Sequence, residues 1–351
     1  PLAKIEAIIR TSYEGNLEEF DRFVIAPSVV TAVKTKIAPD AATCPQCKAE
    51  TLDPFSRWYR YPFTNCTHCG PRLSIIRAIP YDRRNTSMAN FPMCPECEKE
   101  YHDVENRRFH AQPVACYKCG PAAWLERADG KPVTASMFSM MDDVDAVCTL
   151  LQRGEIVAIK GIGGIHLACD ATNETAVEKL RQRKQRYHKP FALMARDIEI
   201  IEKYCLVSAK ERELLQSPAA PIVLLQRKDT SQNAIRLFHK LPSKAGRMPT
   251  PQELEKSVAA SVAPGQNTLG FMLPYTPLHH LILKRMERPI VLTSGNLSDE
   301  PQCINNDEAR EKLGKIADYF LLHNRDIVNR IDDSVVRVLG DKLQTIRRAR
   351  G

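Results

Sequence analysis

Apolar and polar positions change rhythm along this chain. From about residue 140 onward, strand-like and helix-like patterns alternate. Residues 140–154 (MMDDVDAVCTLLQRG) place apolar side chains at helical spacing and stop at Gly154, a favoured helix terminator. Residues 155–171 (EIVAIKGIGGIHLACDA) predict a buried strand, a glycine turn and a second strand. An amphipathic, very basic helix is expected over 173–189, a strand over 190–197, helices over 198–205 and 208–218, and a strand over 221–228. Residues 229–264 are polar with several prolines and read as a surface insertion. The apolar runs 267–274 and 289–296 flank a helix over 277–287. Residues 305–324 read as helix then strand, and 334–351 as a hairpin-like strand pair. This alternation predicts an α/β domain of about 200 residues.

The first 140 residues lack that rhythm. Residues 44–125 hold Pro45, Pro54, Pro62, Pro71, Pro80, Pro92, Pro95, Pro113 and Pro121, which predicts a loop-rich block with short hairpins. Residues 1–28 end in a strand-like FDRFVIAPS and are too short to make a core of their own. Residues 29–43, with Pro39, read as a linker.

Length and composition narrow the class. A chain of 351 residues has room for two or three domains. With 43% apolar and 26% charged residues, wholesale disorder is excluded. No run reaches eighteen apolar residues, which excludes a membrane-spanning helix. The N-terminal PLAKIEAIIR has no secretory pattern, so the cytoplasm is the expected compartment. The chain begins without Met and reads as a piece of something longer. Its formal charge is +8, which eight thiolates with two zinc ions would halve. That mild excess suits a phosphate-bearing ligand as well as nucleic acid or ordinary surface lysines.

Cysteine changes the picture most. Eight of the twelve cysteines form the pairs Cys44/Cys47, Cys66/Cys69, Cys94/Cys97 and Cys116/Cys119, with 18, 24 and 18 residues between pairs. Two such pairs complete a tetrahedral four-thiolate zinc site. The block also repeats at an offset of 50 residues: Cys44 falls on Cys94, Cys66 on Cys116, Asp53 on Asp103, Arg57 on Arg107, and Gly70-Pro71 on Gly120-Pro121. A duplication implies that Cys44, Cys47, Cys66 and Cys69 hold one zinc and that Cys94, Cys97, Cys116 and Cys119 hold another. The spacing leaves crossed pairing of outer with inner pairs open. Disulfides would need an oxidising compartment. Complete four-thiolate sets are closed, so both zincs are expected to be structural, replacing a core that this block lacks. His68, His102 and His110 are expected near the surface, and Cys148, Cys169, Cys205 and Cys303 as buried thiols.

Other motifs are weaker. Gly161-Ile162-Gly163-Gly164 lacks the third glycine of a dinucleotide fingerprint and the Lys-Ser/Thr of a P-loop, which leaves a tight turn between strands. Lys179, Arg181, Arg183, Lys184, Arg186 and Lys189 concentrate six cations just before a buried strand, suiting a triphosphate; RNA would use the same residues, but no aromatic interleaving supports it. Thr293-Ser294-Gly295-Asn296 sits at a strand's C-terminal end, where α/β crevices bind ligands, unless it only leads into a helix capped by Ser298. Two polar clusters, 323–326 and 330–334, and the terminal Arg347-Arg348-Ala349-Arg350 add further charge.

Taken jointly, CTHCGPR, CYKCGPA, KGIGGIHLACDA, LRQRKQRYHKPFALM, LGFMLPYTPLHHLIL, LTSGNLSDEP, HNRDIVNRIDDSVVRV and IRRARG resemble the nickel–iron hydrogenase maturation carbamoyltransferases, the HypF family. The resemblance covers nearly the whole chain and is weakest over 229–264. It implies a C-terminal remnant of an acylphosphatase-like domain at 1–28, a linker at 29–43, a tandem zinc-finger-like domain at 44–130 and a YrdC-like ATP-binding domain at 140–351. The implied fold is α/β (α+β), a YrdC-like twisted mixed sheet with helices behind the small tandem four-cysteine domain.

The implied chemistry is activation of carbamate, derived from carbamoyl phosphate, with ATP and magnesium to carbamoyl-adenylate and pyrophosphate. The carbamoyl group then passes to the C-terminal cysteine of a HypE-type partner protein, on the way to iron cyanide ligands. The family's Lys-x-Arg signature falls on Lys184 and Arg186, the implied catalytic pair, and its Ser-x-Asn signature on Ser294 and Asn296. Lys160, Lys189 and Arg350 are further implied nucleotide contacts; His166, His279 and His280 are weaker candidates. In one departure, GGIHLACDA replaces the tyrosine-containing strand end usual in the related threonylcarbamoyl-adenylate synthases, consistent with a smaller acceptor. The rival readings are a zinc-containing RNA-binding module and a scaffold whose zinc block docks a partner.

Overall fold

The computed structural model describes residues 37–131, 133, 142–228, 257–298 and 300–350. The expected acylphosphatase-like remnant at 1–28 and residues 29–36 of the linker lie outside them. The finger block carries two eight-residue helices, α1 (Pro45–Leu52) and α2 (Pro95–His102), each with proline in its first turn and each beginning just after a cysteine. The expected short hairpins are absent among its described residues, which instead form 3-10 turns and isolated bridges.

The remaining elements are β1 (Ala123–Arg127), α3 (Asp143–Gln152), β2 (Val157–Lys160), β3 (Ile165–Asp170), α4 (Glu174–Lys184), β4 (Ala192–Met194), α5 (Ile198–Tyr204), α6 (Ala209–Gln216), β5 (Ile222–Gln226), β6 (Thr268–Met272), α7 (Pro277–Leu283), β7 (Ile290–Ser294), α8 (Asn306–Leu313), β8 (Tyr319–His323), β9 (Val335–Leu339) and β10 (Lys342–Arg347). The alternation read from the sequence is therefore present. The ten strands among the described residues form one sheet in the order β1-β8-β2-β3-β7-β4-β6-β5-β9-β10. Only β2/β8, β4/β6 and β5/β9 pair in parallel, so the sheet is mixed.

Both faces of the central strands are covered, which explains their near-continuous apolar runs. One face packs Ala158, Ile165 and Leu167 against α4, α5 and α8. The other packs Ile159, Leu292 and Leu321 against α3 and α7. Three local readings change. Residues 258–263, taken as part of a surface insertion, are core: Val258, Ala259, Val262 and Ala263 are buried beside α4. The basic helix stops at Lys184, because Gln185 turns left-handed and Ser298 Oγ donates to the freed Lys184 carbonyl. Ser298 thus serves the end of one helix and does not start another. Finally, β1, from the end of the finger block, joins the sheet beside β8.

The finger block is tied to this sheet at several points. Arg60 makes a bidentate pair with Asp142, which caps α3. Ser74 accepts from the Val328 and Asn329 N–H groups. Phe63 packs edge-on to His323, with Arg325 over its ring.

The Gly161–Gly164 turn links β2 and β3 as expected, and its glycines are there for close approach. A Cβ on Gly163 would lie 2.6 Å from the Ile331 carbonyl oxygen. Gly163→Ala must push the 330–334 segment outward and is expected to cost about 1–3 kcal/mol, read as a lowered denaturant midpoint at unchanged m-value.

Candidate functional site

The eight paired cysteines form two separate clusters, Cys44/Cys47/Cys66/Cys69 and Cys94/Cys97/Cys116/Cys119, with all Sγ atoms of a cluster within 4.8 Å of one another. Measured edges are 3.7 Å (Cys44–Cys66), 3.8 Å (Cys66–Cys69), 3.6 Å (Cys97–Cys119) and 3.9 Å (Cys116–Cys119). Four sulfurs around zinc at about 2.3 Å have tetrahedral edges of about 3.8 Å, so the clusters fit the ion. Pairing is local, and the crossed alternative is overturned. His102 and His110 stack with Tyr101 and stand outside both clusters. Cys148, Cys169, Cys205 and Cys303 are buried thiols.

A second candidate site lies on the sheet face that carries α3 and α7, beyond the reach of those helices. It is a cavity of about 390 Å³ lined by Arg186, Phe191, Thr293, Ser294, Asp332, Asp333 and Arg347. Lys184 stands at its edge, only 1% exposed. Its Nζ donates to Ser294 O (2.7 Å), Asn296 O (2.6 Å) and Asn296 Oδ1 (2.6 Å). Ser294 Oγ donates to the same Asn296 Oδ1 at 2.8 Å. Lys184 of the Lys-x-Arg signature and the Ser-x-Asn signature thus form one hydrogen-bonded unit joining the end of α4 to the end of β7. Burial, then the charge of Arg186, pulls Lys184 down to about 7. Arg186 donates to Pro190 O at 2.8 Å and stacks over Phe191. Burial, then Arg347, lowers its pKa as well. Asp332, paired with Arg347 at 2.7 Å, and Asp333 give the cleft both signs of charge, with Arg186 the cation best placed to meet an anionic ligand.

The other predicted residues scatter. Lys160 lines a separate cavity with Asn306, Arg310 and Asp326, and donates to His323 O. Lys189 is exposed at the turn after α4. Arg350 is 3% exposed and donates to Ala219 O, Ala220 O and Asp333 Oδ1, with Tyr275 stacked beneath it. Burial opposes ionisation of Asp333, but Arg350, then His166, overrides it and holds the carboxyl well below its usual range. His166 Nε2 lies 3.7 Å from Asp333. His279 is buried with neither ring nitrogen partnered, and burial pushes its pKa down. The sequence places Thr293, Asp332 and Arg347 inside polar motifs but singles none of them out as a nucleotide contact. Arg347 was visible only as one of three arginines in the terminal run.

The basic run is not a continuous cationic face. Lys179 and Arg183 pair with Asp318, and Arg181 spends its donors on the carbonyls of Ser261, Val262, Arg186 and Lys189. That disfavours the RNA-binding reading.

Two interlocked four-cysteine fingers docked on a mixed sheet with a charged cleft define a zinc-finger-bearing protein of α/β class. Comparison with known proteins agrees. The HypF finger profile matches residues 43–76 and 93–126, and the Sua5_yciO_yrdC profile, described as "Telomere recombination", matches 149–349. Carbamoyltransferase HypF of Rhodobacter capsulatus is 48% identical over 100% of this chain and 42% of its own length. That of Synechocystis sp. is 48% identical over 95% of this chain and 40% of its own. The crystal structure of a full-length HypF in a phosphate- and nucleotide-bound form is 49% identical, with a TM-score of 0.77 over 90% of this chain and 37% of that one. The chain belongs to the HypF family and spans about two fifths of the length of these curated relatives.

Two outcomes follow. The chain should contain two zinc ions by elemental analysis, and Cys97→Ser should retain one. Arg350→Ala leaves the buried Asp333 carboxylate unpaired and should lower stability by about 3–5 kcal/mol in denaturant unfolding.

Proposed function

We propose that this chain activates carbamate with magnesium-ATP in the cleft between α4 and β7, as the adenylating part of a hydrogenase-maturation carbamoyltransferase. The observation that carries this reading is the convergence of Lys184, Ser294 and Asn296 beside a cavity lined by Arg186 and Arg347. Support comes from the similar full-length HypF, described as phosphate- and nucleotide-bound.

In the proposed step a carbamate oxygen attacks the α-phosphorus. The bond from that phosphorus to the β-bridging oxygen breaks, and pyrophosphate leaves with the electron pair. Charge builds on the α-phosphoryl oxygens, where Arg186 supplies fixed positive charge, and Lys184, its donors held by the 294–296 loop, adds charge from behind that loop. Arg347 stands on the opposite wall, held there by Asp332 at 2.7 Å and by the Asp333 carbonyl. Ser294 and Asn296 hold phosphate or ribose. Carbamate itself comes from carbamoyl phosphate, and the activated carbamoyl group goes to the C-terminal cysteine of a HypE-type partner. The zinc fingers take no part in the bond changes, since each has four thiolates and no open position.

Calorimetric titration of magnesium-ATP tests the reading. Saturable binding is expected, weakened at least about tenfold (about 1.4 kcal/mol) by Lys184→Ala and by Ser294→Ala. Failure of a folded, zinc-loaded chain to bind, or binding untouched by both substitutions, overturns it. A polyphosphate beside Lys184 raises its pKa from about 7. At pH 8 binding should therefore take up a proton, seen as a heat that depends on the buffer's ionisation enthalpy, and the uptake should shrink as pH falls below 7 or in Lys184→Arg.

A further inference from the structure

The 50-residue repeat has a consequence at the metal clusters. Arg57 and Arg107 occupy equivalent positions in the two fingers, and neither serves its own. Arg57 Nη2 of the first finger donates to Cys97 Sγ of the second at 2.8 Å. Arg107 of the second donates to Cys47 Sγ of the first from both terminal nitrogens, at 3.2 and 3.3 Å. The acids that hold them are also equivalent and also crossed. Glu100 of the second finger lies 3.7 Å from Arg57, and Glu50 of the first pairs with Arg107.

Zinc with four thiolates carries a net charge of −2. A guanidinium hydrogen bond to one sulfur spreads that charge and makes the thiolate a poorer base, which opposes protonation and loss of the ion. Each arginine rides on the turn that follows its own finger's first helix, and that helix begins at its own finger's first cysteine. Trp58 lies between Arg57 and Arg108, with guanidinium carbons 4.4 and 3.5 Å from its ring centre, and keeps the two turns in register.

We infer that the two zinc sites are reciprocally coupled, Arg57 of the first finger stabilising zinc in the second and Arg107 of the second stabilising zinc in the first. Loss of the first ion frees α1, and with it the turn that carries Arg57 and the glutamate that holds Arg107. The second ion then loses its guanidinium. The same holds in reverse, as linkage between two binding sites requires.

The test is crosswise. The chain is loaded with cadmium-113 and its two resonances are assigned with Cys47→Ser and Cys97→Ser. Arg57→Ala should shift the resonance of the Cys94/Cys97/Cys116/Cys119 site, and Arg107→Ala that of the other. Zinc release to a chromophoric chelator should be about 10–100-fold faster from the opposite site in each variant, the usual cost of losing an outer partner of a metal ligand. In Cys47→Ser the remaining zinc should leave faster than the same zinc in the parent chain. An effect larger on the arginine's own finger than on the opposite one, an equal effect on both sites, or release unchanged within twofold overturns the inference. If an alanine variant does not fold, Arg57→Lys and Arg107→Lys keep the charge but lose the fork. Crosswise acceleration of smaller size then supports the coupling, and its absence overturns it.

Discussion

The Asp333–Arg350 pair holds the far wall of the cleft in place. Both groups are almost wholly buried, and their N–O distance is 2.8 Å. Removing two charges from water is costly, and further hydrogen bonds from the guanidinium offset part of that cost. Arg350 spends its other bonds on the carbonyls of Ala219 and Ala220 and stacks on Tyr275. Its own carbonyl accepts from Ser334 Oγ. One guanidinium thereby clamps the end of the β9–β10 pair to the loop before β5 and to the segment before α7. Arg347, Asp332 and Asp333 line the cleft because of that clamp.

The opposite wall uses a different device. The Lys184 ammonium occupies a position ringed by three oxygens of the 294–296 loop, much as a bound cation would. It ties the end of a helix on one face of the sheet to the end of a strand within it. The cleft is the gap between a buried ion pair and this buried ammonium, floored by Ala192 of β4, Leu224 of β5 and Gly270 of β6. The fingers sit apart from it. Their attachments, Arg60 to Asp142 and Ser74 to residues 328 and 329, reach α3 and the loop after β8 and not the cleft residues.

Much of this was legible in the chain. The strand-and-helix rhythm from residue 140, the turn at Gly161–Gly164 and the two metal sets follow from local spacing, and the structure contains all of them. Other features were not legible. Residues 258–263 sit next to proline-rich polar sequence, and their burial depends on α4, some eighty positions earlier. β1 reads as the tail of the finger block because its edge position is set by pairing with β8, about two hundred residues away. Arg350 looks like a phosphate ligand in the sequence, since an arginine in a terminal basic run carries no mark of the buried carboxylate it meets.

By itself the sequence determined most of the helices and strands after residue 140, the cysteine pairs and their repeat, and the family to which they belong. Each depends on neighbours a few positions apart, or on a repeat whose period can be counted. Tertiary structure alone decided which cations face a ligand and which are spent inside. Lys184 meets Ser294 and Asn296, Arg186 lines the cleft, Lys160 turns to another cavity, Arg350 pairs with Asp333, and Arg57 and Arg107 cross between fingers. A guanidinium or ammonium reaches several ångströms from its backbone and takes the best acceptor that the fold brings near. Its role is therefore set by long-range pairing, which local sequence does not encode.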